Sequence, residues 1–249
     1  MITRLDHVVI GVRDLNEAMQ HYRQLGFEVQ LGGRHTNLGT CNALIRFGLD
    51  YLELLAVDDE AEARGSGGPG QFLIEYLRGR QTALLGFALA SDCLEDELAF
   101  GTCQPFAMQR TRPDGHVLSW RLLMRGEHTW RQPWPFLIQW DTPDELRLAW
   151  DGISQHSNGA RGIAGLRVAA RDVSAVLELY ARQLGLPLNS SHVALANCPI
   201  EVVQADADDE GLTQVQIGVD HVTARREWFA QGGMSLDEPT LGAGLVFVA

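Results

Sequence analysis

The chain has 249 residues and a formal charge of −12, from 32 acidic side chains set against 20 basic ones. Every basic residue is arginine, so a Schiff-base lysine, a pyridoxal attachment site and a P-loop lysine are all excluded. The acidic balance also argues against a phosphate-backbone interface, and no nucleic acid partner is expected.

At 45% hydrophobic and 21% charged residues, the composition is that of a soluble globular protein with a length between one domain and two. No uninterrupted apolar run reaches the ~18 residues of a membrane span, and the first residues carry no basic segment followed by an apolar one. The expectation is a cytoplasmic protein with no membrane partner. Cys41, Cys93, Cys103 and Cys198 form no C-x-x-C and are expected as reduced, buried thiols.

Residues 1–57 read as β-α-β-β-β. Residues 2–12 are rich in β-formers, with Leu5, His7 and Val9 on one face and Asp6, Val8 and Ile10 on the other. Asp14 is placed to cap a helix and Glu17 completes a capping box. Leu15, Ala18, Met19, Tyr22 and Leu25 then recur at helical spacing up to a stop at Gly26. Extended segments follow at 27–31, 42–47 and 51–57, with turns expected at Gly32-Gly33 and at Gly48-Leu49-Asp50. Residues 58–64 look helical. Residues 65–70 spell G-x-G-x-x-G but follow no strand, so a flexible loop is expected there and not a dinucleotide site.

The pattern recurs. Residues 84–91 and 92–100 read as strand then helix, with 117–124 and 135–140 as later strands of a second copy. Residues 163–204 repeat the first copy more closely: Tyr22-Arg23-Gln24-Leu25-Gly26 is answered by Tyr180-Ala181-Arg182-Gln183-Leu184-Gly185, and Leu52-Glu53-Leu54 by Ile200-Glu201-Val202. A shortened fourth copy is expected from 214–219 through a helix around Trp228 and Phe229 to 244–248. Residues 143–162 have linker composition and divide a first domain, 1–142, from a degenerate second half, 163–249.

Paired βαβββ modules with a histidine on the first strand and a glutamate on the fourth resemble the vicinal oxygen chelate superfamily, and its glyoxalase-like branch in particular. The resemblance is carried by residues 5–15 (Leu-Asp-His-Val-Val-Ile-Gly-Val-Arg-Asp-Leu), Gly32-Gly33-Arg34-His35, residues 39–45 and residues 51–57. In the second copy Asp114-Gly115, Trp120-Arg121-Leu122 and residues 135–140 add to it. It covers residues 1–142, and the remainder only as a degenerate repeat. It implies an α+β fold in which repeated βαβββ modules form cupped antiparallel sheets around a pocket. In metal-binding members, ligands come from strands 1 and 4 of each module.

By that pattern His7 and Glu53 are candidate ligands for a divalent ion, Zn, Mn, Fe or Ni, and Glu53 with His35 is the candidate catalytic pair. Alternatively, His7 and Glu53 hydrogen-bond to each other or to water in the cup, without metal. The matching positions are Gly86 and Gln139 in the second copy and Gly165 and Glu201 in the third, so no complete four-ligand set is visible. A dioxygenase, which needs two histidines and a carboxylate, is disfavoured unless His35, His116 or His128 joins the site. Arg34, His35, Asn42, Trp120, Arg121 and Gln139 are candidate substrate contacts, the two arginines as permanent forks for an anion and Trp120 as an aromatic wall. A Gly-Gly turn capped by Asn42, a core Trp120 and a solvated Arg121 are the structural alternatives. The other eighteen arginines are expected at the surface or in structural roles, and His156, His192 and His221 at the surface.

Two functions stay open. One is a metal-assisted lyase or isomerase acting on a small oxygenated anion. The other is a non-catalytic, metal-free ligand-binding or sequestering protein of the bleomycin-resistance type. The second half can instead serve as an interaction platform, for instance a homodimer interface.

Overall fold

The computed structural model describes residues 1–126, 130–151, 155–196, 198–206, 209–220 and 244–248. The helix expected around Trp228 and Phe229, and the histidines His128 and His221, lie outside the described residues.

The first module comprises β1 (Ile2–Val12), α1 (Leu15–Gln24), β2 (Gln30–His35), β3 (Thr40–Arg46) and β4 (Tyr51–Val57). Asp14 caps α1 by accepting from the Glu17 N–H, and Gly26 takes a φ of 81° just past its end. Ala18, Met19 and Tyr22 bury the apolar face of α1 over β3 and β4. β2 starts later than the pattern suggests and runs through Gly32-Gly33, which form a bulged stretch of strand and not a turn. The glycines are there for space. A Cβ on Gly32 would overlap Asn42 Oδ1 and the Arg110 guanidinium, and Gly33 lies against the Thr111 carbonyl at a φ of 137°.

The second module supplies β5 (Thr82–Ser91), β6 (Phe106–Thr111), β7 (Val117–Leu123) and β8 (Phe136–Trp140). The helix expected at 92–100 is only a 3-10 turn at Leu94–Glu97. Within the modules β1 pairs with β4, and β5 with β8, in parallel. The other pairs are antiparallel, and β1 with β5 and β2 with β6 join the modules into a closed barrel, β1-β4-β3-β2-β6-β7-β8-β5. Eight strands leave an interior just wide enough for side chains or one small ligand.

Between the modules lie α2 (Glu60–Gly65), capped by Asp59, and α3 (Gly68–Tyr76), where a flexible loop was expected. Pro69 sits in the first turn of α3, where an N–H is not needed, and its carbonyl accepts from Trp130 Nε1 at 3.0 Å. Another helix, α4 (Asp144–Asp151), occupies part of the expected linker. His156, expected at the surface, is buried: Nδ1 accepts from the Glu28 N–H at 3.0 Å, which leaves Nε2 to donate to the Arg46 carbonyl at 2.9 Å.

The remaining strands are β9 (Ala160–Ala170), β10 (Leu188–Asn189), β11 (His192–Val193), β12 (Ile200–Gln204), β13 (Gly211–Val219) and β14 (Leu245–Val248), with α5 (Val173–Gln183) after β9. They form a six-stranded sheet ordered β10-β11-β12-β9-β13-β14. β9 pairs with β12 in parallel and with β13 antiparallel, as β1 does with β4 and β5, so the sequence repeat is a structural repeat. One apolar core joins this sheet to the outside of the barrel, and Phe27 stacks on Phe247 across it at 5.9 Å. All four cysteines are free, but only Cys198 is buried and Cys103 is exposed. Among the described residues no helix is long and apolar enough to cross a membrane.

Candidate active site

The barrel encloses a cavity of about 220 Å³. Strand alternation decides what lines it. Tyr51, Glu53 and Leu55 face inward from β4, Thr40 and Asn42 from β3, and Phe106, Met108 and Arg110 from β6. Trp120 and Leu122 face inward from β7, and Phe136, Ile138 and Trp140 from β8; His7 and His35 come from β1 and β2. The walls are mostly aromatic and aliphatic, with Pro69, Gly70 and Leu73 of α3 closing part of the lining.

The polar groups form one connected cluster. Asn42 Nδ2 donates to Glu53 Oε1 at 2.5 Å, and Arg110 Nη1 donates to Asn42 Oδ1 at 3.2 Å. This arrangement fixes the amide, because a flipped Asn42 would turn its oxygen to the carboxylate and its NH₂ to the guanidinium. His7 Nε2 stands 3.6 Å from Glu53 Oε2, and His35 Nε2 stands 3.7 Å from Oε1. Oε2 has no hydrogen-bond partner among the described residues. His7 stacks on Tyr51 at 4.8 Å, and His35 meets Trp120 edge-on at 6.0 Å. Burial, opposed by Glu53 and aided by Arg110 and His7, lowers the His35 pKa to about 4. At neutral pH that ring is an uncharged donor and acceptor, with Nδ1 3.0 Å from Thr40 Oγ1.

His7 is fixed from outside the barrel. Its Nδ1 lies 2.7 Å from Asp6 Oδ1, and Asp6 points the other way from β1, under α4. Burial favours the neutral acid, but Arg147, the His7 bond and Arg4 outweigh it and hold Asp6 well below the usual carboxylate range. Asp6 is therefore the acceptor, and His7 carries its proton on Nδ1.

Gly32→Ala tests how tightly this cluster is set. The added methyl is expected to part Arg110 from Asn42 and to lower stability by about 1–3 kcal/mol, the usual cost of overpacking. Chemical denaturation would measure it, and unchanged stability would show that the guanidinium has room to move.

A family model described as glyoxalase-like domain matches residues 5–184. The chain belongs to that family. Among solved structures, a hypothetical protein from Staphylococcus aureus superposes on this glyoxalase-like chain with a TM-score of 0.71 at 16% identity, covering 98% of each. A mutant 4-hydroxymandelate synthase from Streptomyces coelicolor matches at TM-score 0.59 and 15% identity, over 96% of this chain and 77% of that one. A xylose isomerase-like TIM barrel/4-hydroxyphenylpyruvate dioxygenase fusion protein matches at 0.54 and 12%, over 94% of this chain and 39% of the other. These likenesses establish the vicinal oxygen chelate fold. A search of curated proteins finds no match.

Of the residues singled out in the glyoxalase-like sequence, His7, His35, Asn42, Glu53 and Trp120 share the cavity. Arg34, Arg121 and Gln139 do not, because each neighbours an inward residue and so points outward. Arg34 binds Asp58 at 2.7 Å and also Glu62. Arg121 binds Glu95 and donates to Gln139 Oε1 at 2.8 Å, an atom that also accepts from the Leu94 N–H at 3.0 Å. Among the described residues the cation that lines the cavity is Arg110, which was expected among the surface or structural arginines. Asp6 was passed over as well. His116 stacks on Trp150 outside the cavity at 4.8 Å, and Glu201 pairs with Arg167 at 2.8 Å in the second sheet.

His7, His35 and Glu53 are donor types suited to a divalent ion. Their arrangement is a different matter. Glu53 Oε1 is already engaged by Asn42, and the inward positions of β8 are apolar, so the second module offers no carboxylate. Among the described residues no group of three or more His, Cys, Asp or Glu is gathered to hold an ion. His35 does join His7 and Glu53, which meets the condition of two histidines and a carboxylate, but as arranged the three form no metal cluster, and the chemistry proposed for them uses protein groups alone.

Proposed function

We propose that the barrel binds a small oxygenated organic anion and that Glu53 moves a proton on it, as a lyase or isomerase would. One observation carries the reading: Glu53 Oε2 is a carboxylate oxygen with no hydrogen-bond partner among the described residues, at the wall of a largely apolar cavity. Such an oxygen can take the proton from a carbon beside a carbonyl. The C–H electron pair passes to the carbonyl oxygen as an enolate, and Glu53 returns the proton to the neighbouring atom or to a leaving group. Asn42 holds the other oxygen, so the base is oriented before substrate arrives. Uncharged His35 can donate to the enolate oxygen, and the apolar walls strengthen that contact by excluding water.

A non-catalytic ligand-binding protein is the second reading, favoured by Glu53 being the one carboxylate among the described residues that line the cavity. Proton exchange separates the two. With a series of 2-oxo acids from pyruvate to phenylpyruvate in D₂O, the protein is expected to accelerate exchange at the carbon next to the carbonyl. Glu53→Gln should lower that rate by roughly 10²–10⁴-fold. Binding without exchange would leave the second reading. Metal analysis of untagged protein and of His7→Ala belongs to the same experiment, because stoichiometric Mn, Fe, Ni or Zn lost in the variant would replace the metal-free step. We propose a second domain, residues 163–249 after a linker at 143–162, and read the sheet β9–β14 as a buttress of the barrel in a cytoplasmic protein. Use of that half as a homodimer surface is the alternative, which sedimentation decides.

A further inference from the structure

We infer that Arg110 is the anion fork of this cavity and that its ligand is a monocarboxylate on a flat apolar body, an arylalkanoate in chemical class. The inference rests on the reading of the barrel as a ligand-binding cup. Arg110 is only 2% exposed and lines the cavity, yet its Nε and Nη2 have no hydrogen-bond partner. Nη1 bonds to Asn42, and the charge of Glu53 reaches the guanidinium through that amide. A buried guanidinium that keeps its proton with two donors unanswered calls for an acceptor, and a planar carboxylate matches its fork.

The charges on the lining favour an acceptor with one negative charge. Arg110 is the one arginine among the described residues that lines the cavity, and Glu53 already offsets part of its charge. A dianion would be poorly compensated. The body follows from the strand that carries the fork. Met108 and Phe106 are the next inward residues along β6, and Met108 lies opposite Trp120 in the ladder with β7. Trp120 and Trp140 sit 5.1 Å apart, and Trp130 stands edge-on to Phe136 at 6.1 Å. A carboxylate on Arg110 therefore trails its body into an aromatic wall, where a flat ring is favoured over a sugar or polyol.

Titration calorimetry with three probes of one shape tests this: 3-phenylpropanoate, the neutral 3-phenylpropanamide and the dianion of 2-phenylethylphosphonate. The acid is expected to bind roughly tenfold to a hundredfold more tightly than the amide. Arg110→Met should abolish that preference. Equal binding of acid and amide by the native protein would overturn the fork while leaving the cup intact, and that comparison needs no variant to fold. Tighter binding of the phosphonate would overturn the monocarboxylate. If none of the three binds, the cup reading itself fails and takes this inference with it.

Discussion

Replacing Asp6 with alanine is expected to destabilise the protein by about 3–5 kcal/mol, the usual cost of removing one partner from a buried ionic network. Asp6 is fully buried, and its Oδ2 accepts from Arg4 at 2.8 Å and from Trp140 Nε1 at 3.0 Å. The same oxygen lies 3.7 Å from Arg147 Nη2. Arg147 is itself wholly buried, with its guanidinium 3.7 Å above the Trp140 ring and Asp144 as its other acidic partner. Without Asp6 two cations crowd a site that water does not reach, α4 loses its tie to β1, and His7 loses the acceptor that fixes its tautomer. At about 2–4 °C per kcal/mol for a chain of this size, the melting temperature should fall by roughly ten degrees. Asp6→Asn should cost less stability, yet its NH₂ can donate to His7 Nδ1 and so reverse the tautomer. Urea denaturation of both variants checks the ledger, and a loss below ~1 kcal/mol for Asp6→Ala would mean that the arginines find other partners.

That network shows which parts of the molecule the chain displays openly. The β-α-β-β-β order of the first module was legible, because Asp14, the α1 periodicity and the β-formers of β1 and β4 are local signals that agree with the final packing. Parity within strands was not. Arg34 and His35, Trp120 and Arg121, Gln139 and Trp140 are adjacent pairs of which one member faces the lumen. The choice depends on barrel closure and on the bulge at Gly32-Gly33, which arise from long-range pairing. Arg110 was missed because β6 itself was missed: Met, Gln and Arg are weak β-formers, and only the alternation of Phe106, Met108 and Arg110 marks an inward face. α3 was hidden by its Gly and Pro content, which the buried Leu73 and the Trp130 bond to Pro69 override. Asp6 was passed over because nothing local announces that α4 will cover it.

A second large effect is expected from pH. Stability should fall as the pH drops from about 6.5 to about 4, with His35 contributing about 3 kcal/mol of the loss. The sign follows from where the proton binds. Burial lowers the His35 pKa from 6.5 to about 4, so between those values the unfolded chain takes up a proton that the folded ring refuses. The contribution is complete above 6.5 and gone below about 4. His156 and His21 are also lowered by burial and act in the same direction, whereas Asp6, held below its usual range, loses its contribution only in stronger acid. His35 feels Glu53, which favours the charged ring, and Arg110 and His7, which oppose it. His35→Gln should therefore flatten the profile of unfolding free energy between pH 6.5 and 4 without moving the acid limb set by Asp6. A variant profile as steep as the native one would show that His35 is already charged in the folded protein, paired with Glu53. A charged His35 could not be the neutral donor that the proposed proton transfer requires.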